Sequence, residues 1–244
     1  SLQAWDSTDE YFFNYIEEHG LITEKTNILV FNDTFGAISI NYLSHQVSAV
    51  SDSYLSHQGI KHNIELNYLE SDNLTCLTSL DSLPDNIDLI IYKIPKSKSL
   101  LTQQLINIKD KYSDGITFIA GSKAKDIHSS TLKVFEKYLG TTKTSLAIKK
   151  SRLVFSQLDN TIKHESPFPT IWPLEQTDYT LSNHANVFAR EKLDLGARFF
   201  IKDLPQLTAK KKVIDLGCGN GAVGLIALAQ QPEAEILFVD ESYM

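Results

Sequence analysis

The stretch VIDLGCGNGAVG, residues 213–224, decides how this sequence is read. Val213, Ile214 and Leu216 make a short apolar run that breaks into a turn carrying Gly217, Gly219 and Gly221. The apolar segment AVGLIALAQQ follows and suits a helix, and AEILFVD (234–240) after it reads as a second strand ending on Asp240. Glycines at a strand end let the main chain turn tightly and approach a ligand with no Cβ in the way. The helix that begins there offers unpaired N–H groups and the positive end of its dipole.

Two registers compete for the ligand of that turn. Gly219-x-Gly221-x-x-Gly224, with Asp240 about twenty residues on, fits the dinucleotide fingerprint of an NAD-dependent oxidoreductase. Gly217-x-Gly219-x-Gly221, preceded by Asp215 at the strand tip, fits S-adenosylmethionine. That ligand has an ammonium group for Asp215 to orient and ribose hydroxyls for Asp240 to accept, so the extra acid favours the methyl donor. Cys218 reads as a small filler of the turn, not as a nucleophile.

The same rhythm precedes this stretch. STDEYFFNYIEEHG predicts a helix with Ser7 and Glu10 at capping-box spacing and Gly20 as its stop. Strands are expected at NILVF (27–31), VSAVSD, LTCLTSL, NIDLIIYKIP and GITFIAG, and helices at GAISINYL, YLSHQGIKHNIELN, SLLTQQLINIKDKY and STLKVFEKYLG. TSLAIKK and RLVFSQL predict a terminal hairpin. Alternating strands and helices imply a parallel sheet covered on both faces. Closing it with an antiparallel hairpin is a feature of class I methyltransferases. Pro167, Pro169 and Pro173 mark residues 159–175 as a linker, which leaves domains at 1–158 and 176–244.

ILVFNDTFGAISINYL (28–43) can be laid on VIDLGCGNGAVGLIAL (213–228). Gly36 falls on Gly221 and Ala37 on Ala222, while Val30, Asn32 and Thr34 take the places of Asp215, Gly217 and Gly219. Downstream, SDSYL (51–55) matches DESYM (240–244). The expectation is an internal duplication whose first copy has lost the acid and two of three glycines.

Composition sets the class. With 244 residues, 42% apolar and 22% charged, the chain is long enough for two modest globular domains. It has no apolar run of membrane-spanning length, and SLQAWDSTDE, which starts at Ser1, is not a signal peptide. Cys76 and Cys218 are the only cysteines, which argues against a disulfide scaffold and suits the cytoplasm. The net charge of −7 is unevenly spread: residues 1–89 carry 2 Lys/Arg against 14 Asp/Glu, and residues 90–155 carry 13 against 4. Such a basic block is either solvated lysines or a surface for a phosphate backbone. Tyr92 and Phe118 inside it are expected in the core rather than as base stackers. The histidines show no metal-ligand spacing, and His57 and His62 are expected at the surface.

Several segments together resemble a known family: LQAWDSTDEYFFNYI, ILVFNDTFGAIS, VSDSYLS, AGSKAKDIHSSTLKVFEKYLG, NHANVFAREKLDLGARFF and VIDLGCGNG with FVDES. They resemble the bacterial 23S ribosomal RNA guanine-N2 methyltransferases designated G, with the 16S paralogues designated C as the alternative. The resemblance implies tandem class I (Rossmann-like) methyltransferase folds, the first complete but degenerate and engaged with RNA, the second truncated here and holding S-adenosylmethionine. It assigns the cofactor to Asp215, Gly217, Gly219, Gly221 and Asp240, with Asp194, Gly196 and Phe188 from the segment that enters the pocket. The family's catalytic Asn-Pro-Pro-aromatic turn accepts hydrogens from the target amino group and aims its nitrogen at the methyl. No Asn-Pro-Pro occurs in this chain, so no catalytic residue is assigned, and turnover is not expected of these residues alone. In the first domain the equivalent strand end reads YKIPKSK, with Lys93 in place of the Asn.

That location turns the basic block into a candidate RNA grip: Lys93, Lys96, Lys98, Lys123, Lys125, Lys149, Lys150 and Arg152. The target guanine would be presented exposed or flipped. The expected function is S-adenosylmethionine-dependent N2-methylation of a guanine in 23S rRNA, on deproteinised or early-assembly RNA. The alternatives are the 16S activity and a non-catalytic RNA-binding or annealing module. A monomer is expected of the whole protein, with self-association of a part that leaves a sheet edge open.

Overall fold

The computed structural model describes residues 4–205 and 212–244. The chain forms two compact units, Ser1–Glu165 and Ser166–Met244. The first runs α1 (Ser7–Glu18), β1 (Ile28–Phe31), α2 (Ala37–Asn41), β2 (Val47–Ser51), α3 (Tyr54–Leu66), β3 (Leu74–Thr78) and β4 (Leu89–Lys93). It continues through α4 (Lys98–Lys111), β5 (Thr117–Lys123), α5 (Ser129–Tyr138), β6 (Thr142–Thr144) and β7 (Ser151–Ser156). Its strands form one seven-stranded sheet in the order β3-β2-β1-β4-β5-β7-β6. β1 to β5 pair in parallel, and β7 pairs antiparallel with both β5 and β6. This is the sheet with a closing hairpin expected of the class I methyltransferase fold.

Period-two alternation builds a core on each face. Leu29, Phe31, Ile90, Tyr92, Phe118 and Val154 pack with the buried side of α4 and α5. Ile28, Val30, Leu89, Ile91, Ile119 and Leu153 pack with Phe12 and Ile16 of α1 and Ile38 of α2. Because β1 and β4 lie inside a parallel sheet covered on both sides, they read as unbroken apolar runs and are buried throughout the apolar part. Tyr92 and Phe118 belong to this core, as their apolar neighbours predict.

Three local expectations are corrected. Asp6, not Ser7, caps α1. Its carboxylate accepts the Thr8 and Asp9 N–H groups at 2.7 and 3.3 Å, and its own N–H donates to Asp9 at 2.9 Å. A carboxylate takes both orphan donors at once, while the Ser7 hydroxyl is engaged by Ser151 at 2.8 Å. The hairpin strand comes earlier than TSLAIKK, at Thr142–Thr144, because Lys149 and Lys150 adopt positive φ and turn the chain before β7. His57 is buried, 4% exposed, on the α3 face it shares with Ile60 and Ile64, whereas His62 is exposed.

The second unit contains β8 (Thr170–Pro173), β9 (Thr180–Asn183), α6 (Leu195–Lys202), β10 (Lys212–Leu216), α7 (Ala222–Gln230) and β11 (Glu235–Val239). β8 and β9 pair antiparallel, β10 and β11 in parallel. Leu174, Leu181, Leu193, Ala222 and Ile226 form its core. The 159–175 stretch, expected as a linker, therefore contains a strand, and its Leu174 anchors this core. Among the described residues no helix is long and apolar enough to cross a membrane.

Candidate functional site

The glycine turn of the second unit is built as the sequence requires. Gly217, Gly219 and Gly221 adopt φ of 70°, 53° and 73°, which a side chain would strain. The Gly217 and Cys218 N–H groups both donate to the Val239 carbonyl, at 2.7 and 3.1 Å, which ties the turn to the end of β11. There the Asp240 carboxylate accepts the Gly219 N–H at 2.7 Å and the Glu241 and Ser242 N–H groups at 2.8 and 3.1 Å. Partial burial pushes this carboxyl up, but the three N–H donors outweigh it and hold Asp240 below its ordinary value, so it stays an anion.

Asp215 Oδ2 accepts the Gly224 N–H at 3.0 Å and so fixes the first turn of α7 to β10. A Cβ on Gly224 would lie 2.9 Å from that oxygen and 3.0 Å from Phe238 Cζ. Gly224, the third glycine of the dinucleotide register, is thereby explained by close helix–strand packing. Cys218 carries a thiol raised by burial and by the nearby charges of Asp240 and Asp215, which suits a filler and not a nucleophile.

The 187–200 segment divides. Phe188 lies against the turn, where a Cβ on Gly219 would come 3.4 Å from Phe188 Cβ, and its side chain is exposed. Asp194 instead caps α6, accepting the Gly196 and Ala197 N–H groups at 2.8 and 3.2 Å, with Gly196 in that helix's first turn. Asn220, which the motif reading passed over, accepts the Ala222 N–H at 3.2 Å and donates to the Ala189 carbonyl at 3.3 Å. It therefore clamps the turn to the segment beside Phe188, and its place between two required glycines was the available signal.

The first unit repeats this geometry without acids at the Asp215 and Asp240 positions, which Val30 and Ser51 occupy. Gly36 N-caps α2 at φ 86°, as Gly221 caps α7, and Asn32 takes φ 60° where Gly217 has 70°. The Asn32 N–H donates to the Val50 carbonyl at 2.8 Å, the counterpart of the Gly217 bond to Val239. That register puts Ser51 at the position of Asp240. Asp33 Oδ2 accepts the Ser39 N–H at 2.8 Å, the counterpart of Gly224, along with the Ile38 N–H and the Ser39 hydroxyl. Asn32 and Gln104 exchange amide hydrogen bonds of 2.9 Å, Asn32 also donates to the Lys93 carbonyl, and the Tyr92 hydroxyl donates to Gln104 at 2.7 Å. The groups a ligand would use at this strand end are thus engaged by the protein itself.

Beside that filled strand end lies a cleft of about 810 Å³ lined by Lys93, Lys96, Lys98, Lys123 and Lys125. It is therefore a single surface that gathers five of the eight predicted basic residues. Lys93 Nζ pairs with Asp9 at 2.7 Å, and the Asp9 carboxylate is almost fully buried. Burial pushes Asp9 up and Lys93 holds it back, with the net above its ordinary value. Lys96, Lys98, Lys123 and Lys125 are exposed and form no ion pair among the described residues. Lys149 pairs with Glu10 at 2.7 Å, the Lys150 carbonyl accepts the Ala124 N–H at 2.8 Å, and Arg152 pairs across the sheet with Ser122. These three lie on the β5–β7 side and do not line the cleft.

Two family models match separate parts of the chain. Residues 1–160 match the family described as RLMG N-terminal domain, and residues 178–244 match the methyltransferase small domain. The chain is 56% identical to the Ribosomal RNA large subunit methyltransferase G of Colwellia psychrerythraea, covering 100% of this chain and 66% of that protein. The protein of the same name from Pseudoalteromonas translucida is 49% identical, with 100% and 64% covered. The chain spans about two thirds of the length of these relatives. A solved T. thermophilus 16S rRNA N2 methyltransferase in complex with AdoMet and guanosine aligns with TM-score 0.69 and 14% identity over 92% of this chain and 62% of that one. The likeness to that structure is one of fold.

Proposed function

The chain belongs to the ribosomal RNA large subunit methyltransferase G family, and from that membership we propose that the whole protein methylates the N2 atom of a guanine in 23S rRNA. In this reading the second unit holds S-adenosylmethionine, and the first, a degenerate copy of the same fold, grips the RNA and does no chemistry. The observation that carries the donor-binding part of the reading is the Asp240 carboxylate at the end of β11, beside three glycines in left-handed conformation. When bound, S-adenosylmethionine supplies an electrophilic methyl on a sulfonium. Asp240 would accept ribose hydroxyls, and three main-chain donors favour its charged form. Asp215, with Oδ2 held by Gly224, has Oδ1 for the ammonium. Gly217, Gly219 and Gly221 would keep the main chain clear of side chains where the ligand approaches, and Phe188 lies beside Gly219. The work is done in the cytoplasm, on RNA whose target base is accessible.

Calorimetric titration of the chain with S-adenosylmethionine tests the donor site. Binding is expected, and Asp240→Ala should weaken it by about tenfold or more, the worth of charge-assisted hydrogen bonds. Binding of NAD in its place, or an unchanged affinity in the variant, would refute the assignment. With the whole protein, labelled methyl should enter deproteinised 23S rRNA, and label in 16S rRNA instead would move it to the paralogous activity.

A further inference from the structure

We propose that Phe35 is a stacking platform for one unpaired base of the RNA held in the cleft of the first unit. The inference rests on the reading of that cleft as an RNA grip. Thr34 lines the cleft with Lys96, Lys98, Lys123 and Lys125, and Phe35, next in the chain, sits at its margin against α3 and not among the lining residues. Phe35 is 50% exposed, unlike Tyr92 and Phe118, which lie in the core.

Phe35 is held in place on the side away from solvent. The Asn63 side chain donates to its carbonyl at 2.8 Å. A Cβ on Gly59 of α3 would lie 3.2 Å from Phe35 Cδ1 and 3.3 Å from the Thr34 carbonyl oxygen. Gly59 therefore lets the turn and one edge of the ring settle on the helix. Leu55, four residues earlier on α3 and so on the same side, is 64% exposed and extends the apolar shelf. A pinned aromatic beside an array of lysines is the combination that binds single strands: cations track the phosphates, and an aromatic face takes a base of any identity. A duplex keeps its bases stacked inside and offers none to the ring.

The test compares a short unstructured RNA carrying 2-aminopurine with a blunt duplex, using the chain and its Phe35→Ala, Phe35→Tyr and Lys96→Glu/Lys98→Glu variants. The wild type should quench the 2-aminopurine on binding. Phe35→Ala should bind the single strand about tenfold more weakly and lose the quench. It should bind the duplex as before, and Phe35→Tyr should restore both properties. An unchanged affinity and quench in Phe35→Ala, or an equal loss on duplex and single strand, overturns the platform. If the lysine reversals still weaken binding, the RNA cleft itself survives that result. If the wild type binds neither RNA, or the reversals change nothing, the cleft reading falls and takes the platform with it.

Discussion

Asp33 and Asp215 meet one need from different places in the chain. Each carboxylate accepts an N–H from the first turn of the helix behind its glycine turn, at Ser39 in one unit and Gly224 in the other. Asp215 does so from inside the strand, with Oδ2 alone. Asp33 does so from within the turn itself, and with Asn32 it fills the strand end that the second unit leaves accessible. The alignment of the two segments revealed the lost acid at Val30, but it gave no sign that a neighbour had taken over the helix. A pH prediction also rests on a single residue. Burial pushes the His57 imidazole below its ordinary 6.5, against the opposing pull of the Ala49 and Leu77 carbonyls. A histidine depressed in the folded state leaves stability intact above its unfolded value and removes it as pH falls toward the folded value. The urea midpoint should therefore drop as pH falls below about 6.5, and His57→Asn should flatten that drop. An equally steep fall in the variant would show that other groups carry it. The sequence reading placed His57 at the surface because it paired it with His62, whereas the relevant spacing is to Ile60 and Ile64.

At the level of elements, α1 is what the first unit adds in front of the sheet, and it docks at a glycine. A Cβ on Gly121 of β5 would lie 2.7 Å from Phe12 Cζ and 3.1 Å from Thr8 Cγ2 and Leu153 Cδ2. Phe12 is fully buried, so it has nowhere to retreat. Gly121→Val should cost about 1–3 kcal/mol in denaturant unfolding. A variant as stable as the wild type would mean that α1 can shift without loss. The same helix brings Asp9 to Lys93 and Thr8 to the Ser151 hydroxyl at 3.0 Å, so it also frames the cleft. Most elements were legible because buried parallel strands announce themselves as apolar runs and glycines mark the turns. The exceptions had local causes. The cap moved to Asp6 because a carboxylate serves two donors, and the hairpin shifted because two lysines took positive φ, which no pattern of apolar residues encodes. β8 was hidden because prolines at 167, 169 and 173 read as a linker, although an edge strand tolerates them at its ends.

Across the whole molecule, the charge asymmetry of the sequence becomes a surface. Four exposed lysines of the basic block, Lys96, Lys98, Lys123 and Lys125, gather at the C-terminal ends of β4 and β5, where an α/β sheet of this kind meets its ligands. The lysine count was visible in the sequence, but their sorting was not. Lys93 is largely neutralised by a buried partner from α1, and Lys149, Lys150 and Arg152 sit on the β5–β7 side. The account therefore divides the work, with phosphate binding in the first unit and donor binding in the second. It is tested most directly by changing Lys96, Lys98, Lys123 and Lys125 together to Glu and measuring RNA affinity against salt, with S-adenosylmethionine affinity measured on the same preparation. The account predicts weaker RNA binding, a log–log salt slope shallower by about 3, and an unchanged donor affinity. An RNA affinity and salt slope equal to those of the wild type would contradict it.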